Sequence, residues 1–159
     1  MINRILRIAI VGLIASSFYA HAEDDLTELR QKAEQGDVKS QSSLGGAYYF
    51  GNGVPQDYKE AAKWFRLAAE QGDAGAQFGL GAAYYEGFGV PQDYAESVKW
   101  HQLSAEQGNA YAQFLLGLAY YLGEGIPQDY KEAAKWFRLA AEQNNADAQV
   151  KLGVAYYFG

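Results

Sequence analysis

The sequence contains no cysteine, few basic residues and no apolar stretch of membrane-spanning length. Its 159 residues include 3 prolines, 2 histidines and 13 Lys or Arg against 19 Asp or Glu, which gives a formal net charge of −6. Without cysteine the fold has no disulfides, so its stability must come from packing. An acidic chain without a basic run repels phosphate backbones and anionic lipid heads, so nucleic acids and membrane surfaces are poor candidate partners.

The first 22 residues have the pattern of an export signal. Arg4 and Arg7 precede the apolar run Ile8–Ile14, and the small-x-small triplet Ala20–Ala22 follows. This order is typical of a secretory signal peptide that is cleaved after the triplet, and we expect no membrane insertion afterwards. The alternative is a membrane anchor, but the apolar run is shorter than the ~20 residues of a spanning helix. We therefore expect an exported protein, most simply periplasmic and otherwise extracellular. Loss of the two arginines would change the formal charge from −6 to −8.

The chain repeats itself with a fixed period. The motif Val/Ile-Pro-Gln-Asp-Tyr begins at Val54, Val90 and Ile126, and each copy lies 36 residues after the one before. Two further landmarks keep the same step, AEQG or AEQN from Ala33, Ala69, Ala105 and Ala141, and Tyr-Tyr from Tyr48, Tyr84, Tyr120 and Tyr156. A period of this length is typical of proteins built from stacked supersecondary units.

Each repeat divides into two predicted helices. Small and apolar residues at helical spacing predict the first helix over Val38–Phe50, with copies over Ala74–Glu86, Ala110–Leu122 and Ala146–Phe158. The second helix is predicted over 57–71, 93–107 and 129–143, ending at glycine or asparagine. Its starting aspartate is followed three residues later by glutamate. We interpret these carboxylates as helix caps and not as an acid–base pair.

Helix pairs of this kind bury their apolar side only by stacking on neighbouring pairs. The sequence therefore predicts an all-α fold, an α-solenoid of stacked antiparallel helix pairs with a 36-residue period. We expect one solenoid domain over 23–159, with a capping helix at 24–36, repeats at 37–72, 73–108 and 109–144, and a partial repeat at 145–159. Glycine is costly inside a helix, so its recurrence there predicts a close helix crossing at Gly45, Gly81, Gly117 and Gly153.

Residues capable of chemistry are scarce beyond the export signal. His101 is the one remaining histidine, and the other repeats have Phe65 and Phe137 at its position, so we interpret it as a packing residue and not as a metal ligand. The serines lie on predicted helices without a local histidine or lysine motif. We therefore predict a protein that is not an enzyme, with no catalytic residue, no metal and no cofactor.

One feature exceeds what packing requires. A second tyrosine follows each core tyrosine and is turned by about 100° around the helix, because a helix has 3.6 residues per turn. Stacked first helices would align these rings as a ladder along the inner, concave curve of the solenoid. The candidate partner-binding residues are Tyr49, Tyr85, Tyr121 and Tyr157, flanked by Phe78 and Phe114. The alternative is that these rings only seal one repeat against the next.

The repeats share the pattern AQxxLGxxYxxGxGVPQDYxxAxxWxxxAAEQG, carried for instance by Leu80-Gly81, Tyr84 and Trp100. This pattern resembles the Sel-1-like repeat family, relatives of tetratricopeptide repeats, over essentially the whole chain after the export signal. The resemblance implies an α-solenoid that serves as a protein-interaction scaffold, often in bacterial envelope, signalling or host-contact roles. Some secreted relatives are cysteine-rich and are associated with β-lactam binding or hydrolysis. The absence of cysteine removes the hallmark of that subgroup.

Three functional hypotheses follow. The leading one is an exported, non-enzymatic scaffold that binds a protein or an extended peptide along its concave face, because rigid repeats present a preformed groove. The second keeps the same surface and stacks the tyrosines on sugar rings of cell-wall glycan. The third is a hydrolase acting on β-lactams or peptidoglycan, which rests on family analogy alone.

Overall fold

The computed structural model describes the backbone of residues 25–158 and the side chains of residues 25–152. The expected signal peptide and the side chain of Tyr157 lie outside the described residues. All regular structure within 25–158 is helical, which confirms the predicted all-α fold. The helices are α1 (25–34), α2 (Val38–Phe50), α3 (Tyr58–Glu70), α4 (Ala74–Glu86), α5 (Tyr94–Glu106), α6 (Ala110–Leu122), α7 (Tyr130–Glu142) and α8 (Ala146–Phe158).

Consecutive helices pack against each other, so the chain forms a stack of hairpins, as predicted. The first helices of the repeats, α2, α4, α6 and α8, have the bounds that the periodicity predicts. Among the described helices that are not consecutive in sequence, α2 and α4 make the most contact. We call the surface formed by α2, α4, α6 and α8 the first-helix face.

Aspartate caps begin the second helices, as the spacing predicted. Asp57 accepts hydrogen bonds from the backbone N–H groups of Lys59 and Glu60 at 2.9 and 3.1 Å, and Asp93 and Asp129 repeat this arrangement. Such a cap stabilises a helix by about 1 kcal/mol because it satisfies N–H groups without helical partners. The N–H of Asp57 donates to the carbonyl of Tyr48 at 3.0 Å. The same aspartate therefore also ties the second helix to the end of the first.

Glycines let the two helices of a hairpin approach closely, which confirms the predicted crossing at Gly45, Gly81 and Gly117, whereas Gly153 lies outside the residues whose side-chain surroundings are described. A Cβ atom at Gly45 would lie 2.6 Å from Cδ1 of Phe65, a distance that real Cβ atoms essentially never show. Cβ atoms at Gly81 and Gly117 would lie 2.5 Å from His101 and 2.7 Å from Phe137. In each of these hairpins a ring from the second helix therefore rests directly on the glycine of the first.

The two adjacent glycines of α2 give a stability test. We expect Gly45→Ala to destabilise the protein, because displacing Phe65 costs about 1 to 3 kcal/mol and exceeds the ~1 kcal/mol gained in helix propensity. We expect Gly46→Ala to stabilise it by up to about 1 kcal/mol, because a Cβ there meets no atom within 4 Å. The midpoint of urea unfolding measures both effects, and shifts of the same sign would contradict the crossing.

Candidate functional site

The first-helix face carries several exposed apolar side chains. Five large apolar residues on it are exposed in the described part of the chain: Phe50, Tyr85, Tyr111, Leu122 and Val150. Phe50 is 68% exposed and Tyr111 is 67% exposed, which is unusual for aromatic residues in a packed domain. The second helices carry five more such residues in the described part of the chain, so exposure alone does not distinguish the first-helix face.

A groove of about 470 Å³ lies on this face between α2 and α4, with Phe65 of α3 beneath it. Aromatic rings and small residues form its lining: Ser42, Gly46, Tyr49, Phe50, Phe65, Gly75, Phe78, Gly79 and Ala82. We call it the α2–α4 groove. A concave apolar site of this size suits the burial of an apolar group from a partner.

The groove exists because small residues stand where the next repeat has large ones. Tyr111, Leu115 and Leu118 lie 36 residues after Gly75, Gly79 and Ala82 and so occupy the same repeat positions. The missing side chains leave space over Phe65, whose ring would lie within 3.0 Å of a Cβ atom at Gly79. The open groove between α2 and α4 therefore depends on the small residues of the first two repeats.

Two of the six predicted binding residues, Tyr49 and Phe78, lie together in the wall of the groove. Tyr85 and Tyr121 instead pair with the tyrosine that begins the next helix, with ring centroids 5.3 Å apart for Tyr85–Tyr94 and 5.4 Å apart for Tyr121–Tyr130. Tyr49 has the same kind of partner in Tyr58, at 5.4 Å. A role for these tyrosines in binding stays a prediction.

Phe114, the sixth predicted residue, lies outside the groove. Its ring centroid is 5.9 Å from that of buried Phe137, so it packs on the second helix of its own repeat. Phe78 has a similar neighbour, because its ring lies 5.8 Å from the His101 ring and 6.2 Å from the Tyr111 ring.

The loop of the following repeat covers part of the first two tyrosine pairs. Phe88 stacks on Tyr58 with centroids 4.5 Å apart and an interplanar angle of 15°, and it also lies 6.4 Å from Tyr49. One repeat later Glu124 takes the position of Phe88, and the Tyr85 hydroxyl donates to it at 3.3 Å. The tyrosines therefore do take part in sealing successive repeats. Sequence reasoning missed Phe88, because this loop position differs in every repeat.

Charge is distributed unequally between the two ends of the groove. At one end Asp73 accepts hydrogen bonds from Lys39 at 2.7 Å, the Ala76 N–H at 2.8 Å and the Ser42 hydroxyl at 2.9 Å. Burial alone would raise the pKa of Asp73, but these hydrogen bonds outweigh it and hold the pKa below its usual value. At the other end Glu86 is exposed, and no salt bridge found in the described residues involves it.

A serine–histidine pair that sequence reasoning missed lies beneath the face. Ser97 Oγ is 3.3 Å from His101 Nδ1, one helical turn away, and the two residues are 2% and 3% exposed. The adjoining cavity of about 30 Å³ has room for about one water molecule and not for a substrate. Burial lowers the pKa of His101 to about 4, which the Phe78 backbone only partly opposes, so the ring is held neutral. His101 is therefore a packing residue, as predicted.

No group of three or more potential metal ligands occurs among the described residues, and no helix there is long and apolar enough to cross a membrane.

The family model described as Sel1 repeat matches residues 38–73, 74–109, 110–145 and 146–159. The chain belongs to the Sel1 repeat family. Sel1 repeat proteins typically mediate protein–protein interaction and are generally non-catalytic scaffolds.

Two solved Sel1 repeat structures are similar in both sequence and fold. One is c5321, described as a protective antigen present in uropathogenic Escherichia coli strains, with 46% identity, a TM-score of 0.79 and coverage of 80% of this chain and 27% of that chain. The other is a Sel1 repeat protein from Oxalobacter formigenes, with 40% identity, a TM-score of 0.73 and coverage of 81% and 97%.

Two further relatives extend the comparison. Helicobacter pylori cysteine rich protein B is 21% identical with a TM-score of 0.63, covers 80% of this chain and 96% of that chain, and shares the Sel1 repeat fold alone. The secretory immunoglobulin A-binding protein EsiB of Escherichia coli O6:H1 is 44% identical over 69 residues, which are 43% of this chain and 14% of EsiB. The chain thus spans 14% of EsiB and 27% of c5321.

The buried histidine of the second Sel1 repeat predicts loss of stability in acid. The folded protein holds His101 neutral with a pKa of about 4, whereas the unfolded chain protonates it below pH 6.5. The contribution of neutral His101 to the free energy of unfolding is therefore fully present above pH 6.5. It is lost as the pH falls towards 4, by about 3 kcal/mol in total. We expect His101→Phe, which copies Phe65 and Phe137, to abolish this part of the pH dependence in urea unfolding from pH 7 to pH 4.5. Identical pH profiles for both proteins would contradict the assignment.

Proposed function

We propose that the chain is an exported binding scaffold that holds a protein or peptide on its first-helix face. One apolar side chain of the partner enters the α2–α4 groove. The observation that carries the proposal is the groove itself, which is lined by four aromatic rings and opened by Gly46, Gly75 and Gly79. Exposed Phe50 extends this apolar surface beyond the groove.

The lining favours an apolar peptide side chain over a sugar ring. Sugar hydroxyls need hydrogen-bond partners when they leave water. Ser42, a polar residue of the lining, already donates its hydroxyl to Asp73 at 2.9 Å. The hydroxyl of Tyr49 is then the remaining polar side-chain group in the lining, which suits an apolar ligand with few hydrogen bonds.

Similar proteins support the proposed export and the proposed class of ligand. EsiB is named for binding secretory immunoglobulin A, and c5321 is described as a protective antigen. The name of EsiB gives it a protein ligand, which supports a protein ligand and export for this chain. Periplasmic placement agrees with the export signal expected at residues 1–22, and extracellular placement is the alternative.

A leucine substitution in α2 that fills the groove tests the proposal. We expect the purified protein to enrich apolar peptides from a phage-displayed random dodecapeptide library, and Gly46→Leu to abolish the enrichment because its side chain fills the groove. The third repeat already carries Leu118 at this position, so the helix tolerates leucine there.

Ser43→Leu is the matched control. It adds the same side chain to the same helix, copies Leu115, and lies at an exposed position outside the groove lining. Circular dichroism and thermal unfolding verify that both variants are folded. Equal enrichment by the wild type and folded Gly46→Leu would remove the groove as the binding site.

A further inference from the structure

The charges around the α2–α4 groove indicate what kind of peptide it takes, given the proposed binding function. Both helices that form the groove end at the same side of it, at the glycine caps Gly51 and Gly87, which have φ angles of 71° and 75°. The C-terminus of a helix carries a partial negative charge because the peptide dipoles align along the helix axis. Two such ends lie close to Tyr49 and Phe50.

A carboxylate adds to this negative potential. Glu86 is the last residue of α4 and follows Ala82, which lines the groove, by one helical turn on the same side of the helix. Glu86 lies near enough to act on the groove wall. The pKa of the Tyr49 hydroxyl is raised mainly by burial and further by the charges of Tyr58 and Glu86. Glu86 also contributes, after burial, Glu124 and Tyr94, to the raised pKa of Tyr85.

At the opposite end of the groove, exposed Asp37 accepts from the Ser40 N–H at 2.8 Å and so offsets the positive N-terminal end of α2. Asp73 is buried there and is paired with Lys39, and no lysine or arginine belongs to the groove lining. The electrostatic potential along the groove is therefore more negative at the Glu86 end than at the Asp73 end. A partner with a positive charge on one side of its apolar anchor is complementary to this arrangement in one orientation only.

We propose that the groove recognises a peptide segment in which a large apolar residue has a lysine or arginine within a few residues of it. The apolar side chain enters the space over Phe65, and the cation lies beside Glu86 at the ends of α2 and α4. Such a pairing contributes more to orientation and selectivity than to affinity, since ion pairs at exposed sites are weak.

Charge reversal tests this inference by a switch of specificity. From the dodecapeptide library, the wild type is expected to enrich an apolar residue with a nearby Lys or Arg, and Glu86→Lys to enrich an apolar residue with a nearby Asp or Glu. Glu70→Lys is the matched control, because Glu70 is the exposed last residue of α3 and the substitution changes the net charge equally. It is expected to leave the selected motif unchanged.

A synthetic peptide with the selected motif gives the magnitude. We expect Glu86→Gln to weaken its binding about two- to fivefold at low salt, measured by fluorescence anisotropy, which is the range of an exposed ion pair. The difference is expected to shrink at about 0.5 M salt, where screening is strong. An unchanged affinity in Glu86→Gln would overturn the inference.

The outcomes separate this inference from the proposed function. Loss of enrichment in Gly46→Leu together with an unchanged motif in Glu86→Lys would overturn the charge preference and leave the groove as the binding site. Equal enrichment by Gly46→Leu, or no enrichment by the wild type, would overturn both.

Discussion

The stack depends on a buried glutamine amide that joins three helices at each step. Gln77 of α4 donates to the carbonyl of Ala69 at the end of the preceding repeat at 3.2 Å, and it accepts a hydrogen bond from Gln107 of its own repeat at 2.7 Å. Gln41 and Gln113 form the same pair of bonds. A buried amide without partners would cost about 1 to 3 kcal/mol, so any slip of one repeat against the next breaks these bonds and is disfavoured. The AEQ and AQ motifs of the sequence are the two halves of this contact.

A fixed register makes equivalent residues line up, so a binding site arises where the repeats differ from one another. Leu44, Leu80 and Leu116 are the same in each full repeat and are fully buried, and they carry the fold without distinguishing one position along the stack from another. Glycine at positions 75 and 79, against tyrosine and leucine one repeat later, opens the groove between α2 and α4. Specificity therefore depends on departures from the repeat pattern, whereas stability depends on the pattern itself.

The helices, their caps and the glycine crossings could be predicted from sequence because each depends on residues close together in the chain. Asp57 caps the N–H groups two and three residues ahead, and that spacing is visible in the sequence. The groove could not be predicted in this way, because its walls come from two separate helices, α2 and α4. Its depth depends on positions where these repeats have glycine or alanine and the third repeat has a large side chain. Tyr49 was identified by its position next to the core tyrosine, but its cover by Phe88 depends on how the next loop folds back. Gly89 permits that approach, since a Cβ there would lie 1.9 Å from the carbonyl oxygen of Tyr58.

The open groove lowers the free energy of unfolding, and contacts elsewhere in the stack offset this loss. Gly46 lies in the interior of a helix with free space beside it, where alanine would be more favourable by about 1 kcal/mol. Three sets of contacts fix the helices around it: the bond from the Gln41 amide to Ala33, the Tyr49–Tyr58–Phe88 ring contacts and the Ser42–Asp73–Lys39 bonds. Because the Lys39 and Ser42 bonds tie α2 to the Asp73 cap of α4, the two walls of the groove are held in place without a ligand. A partner then loses less free energy to ordering of the protein when it binds, and in a repeat protein that advantage stays local because each unit interacts with its neighbours alone.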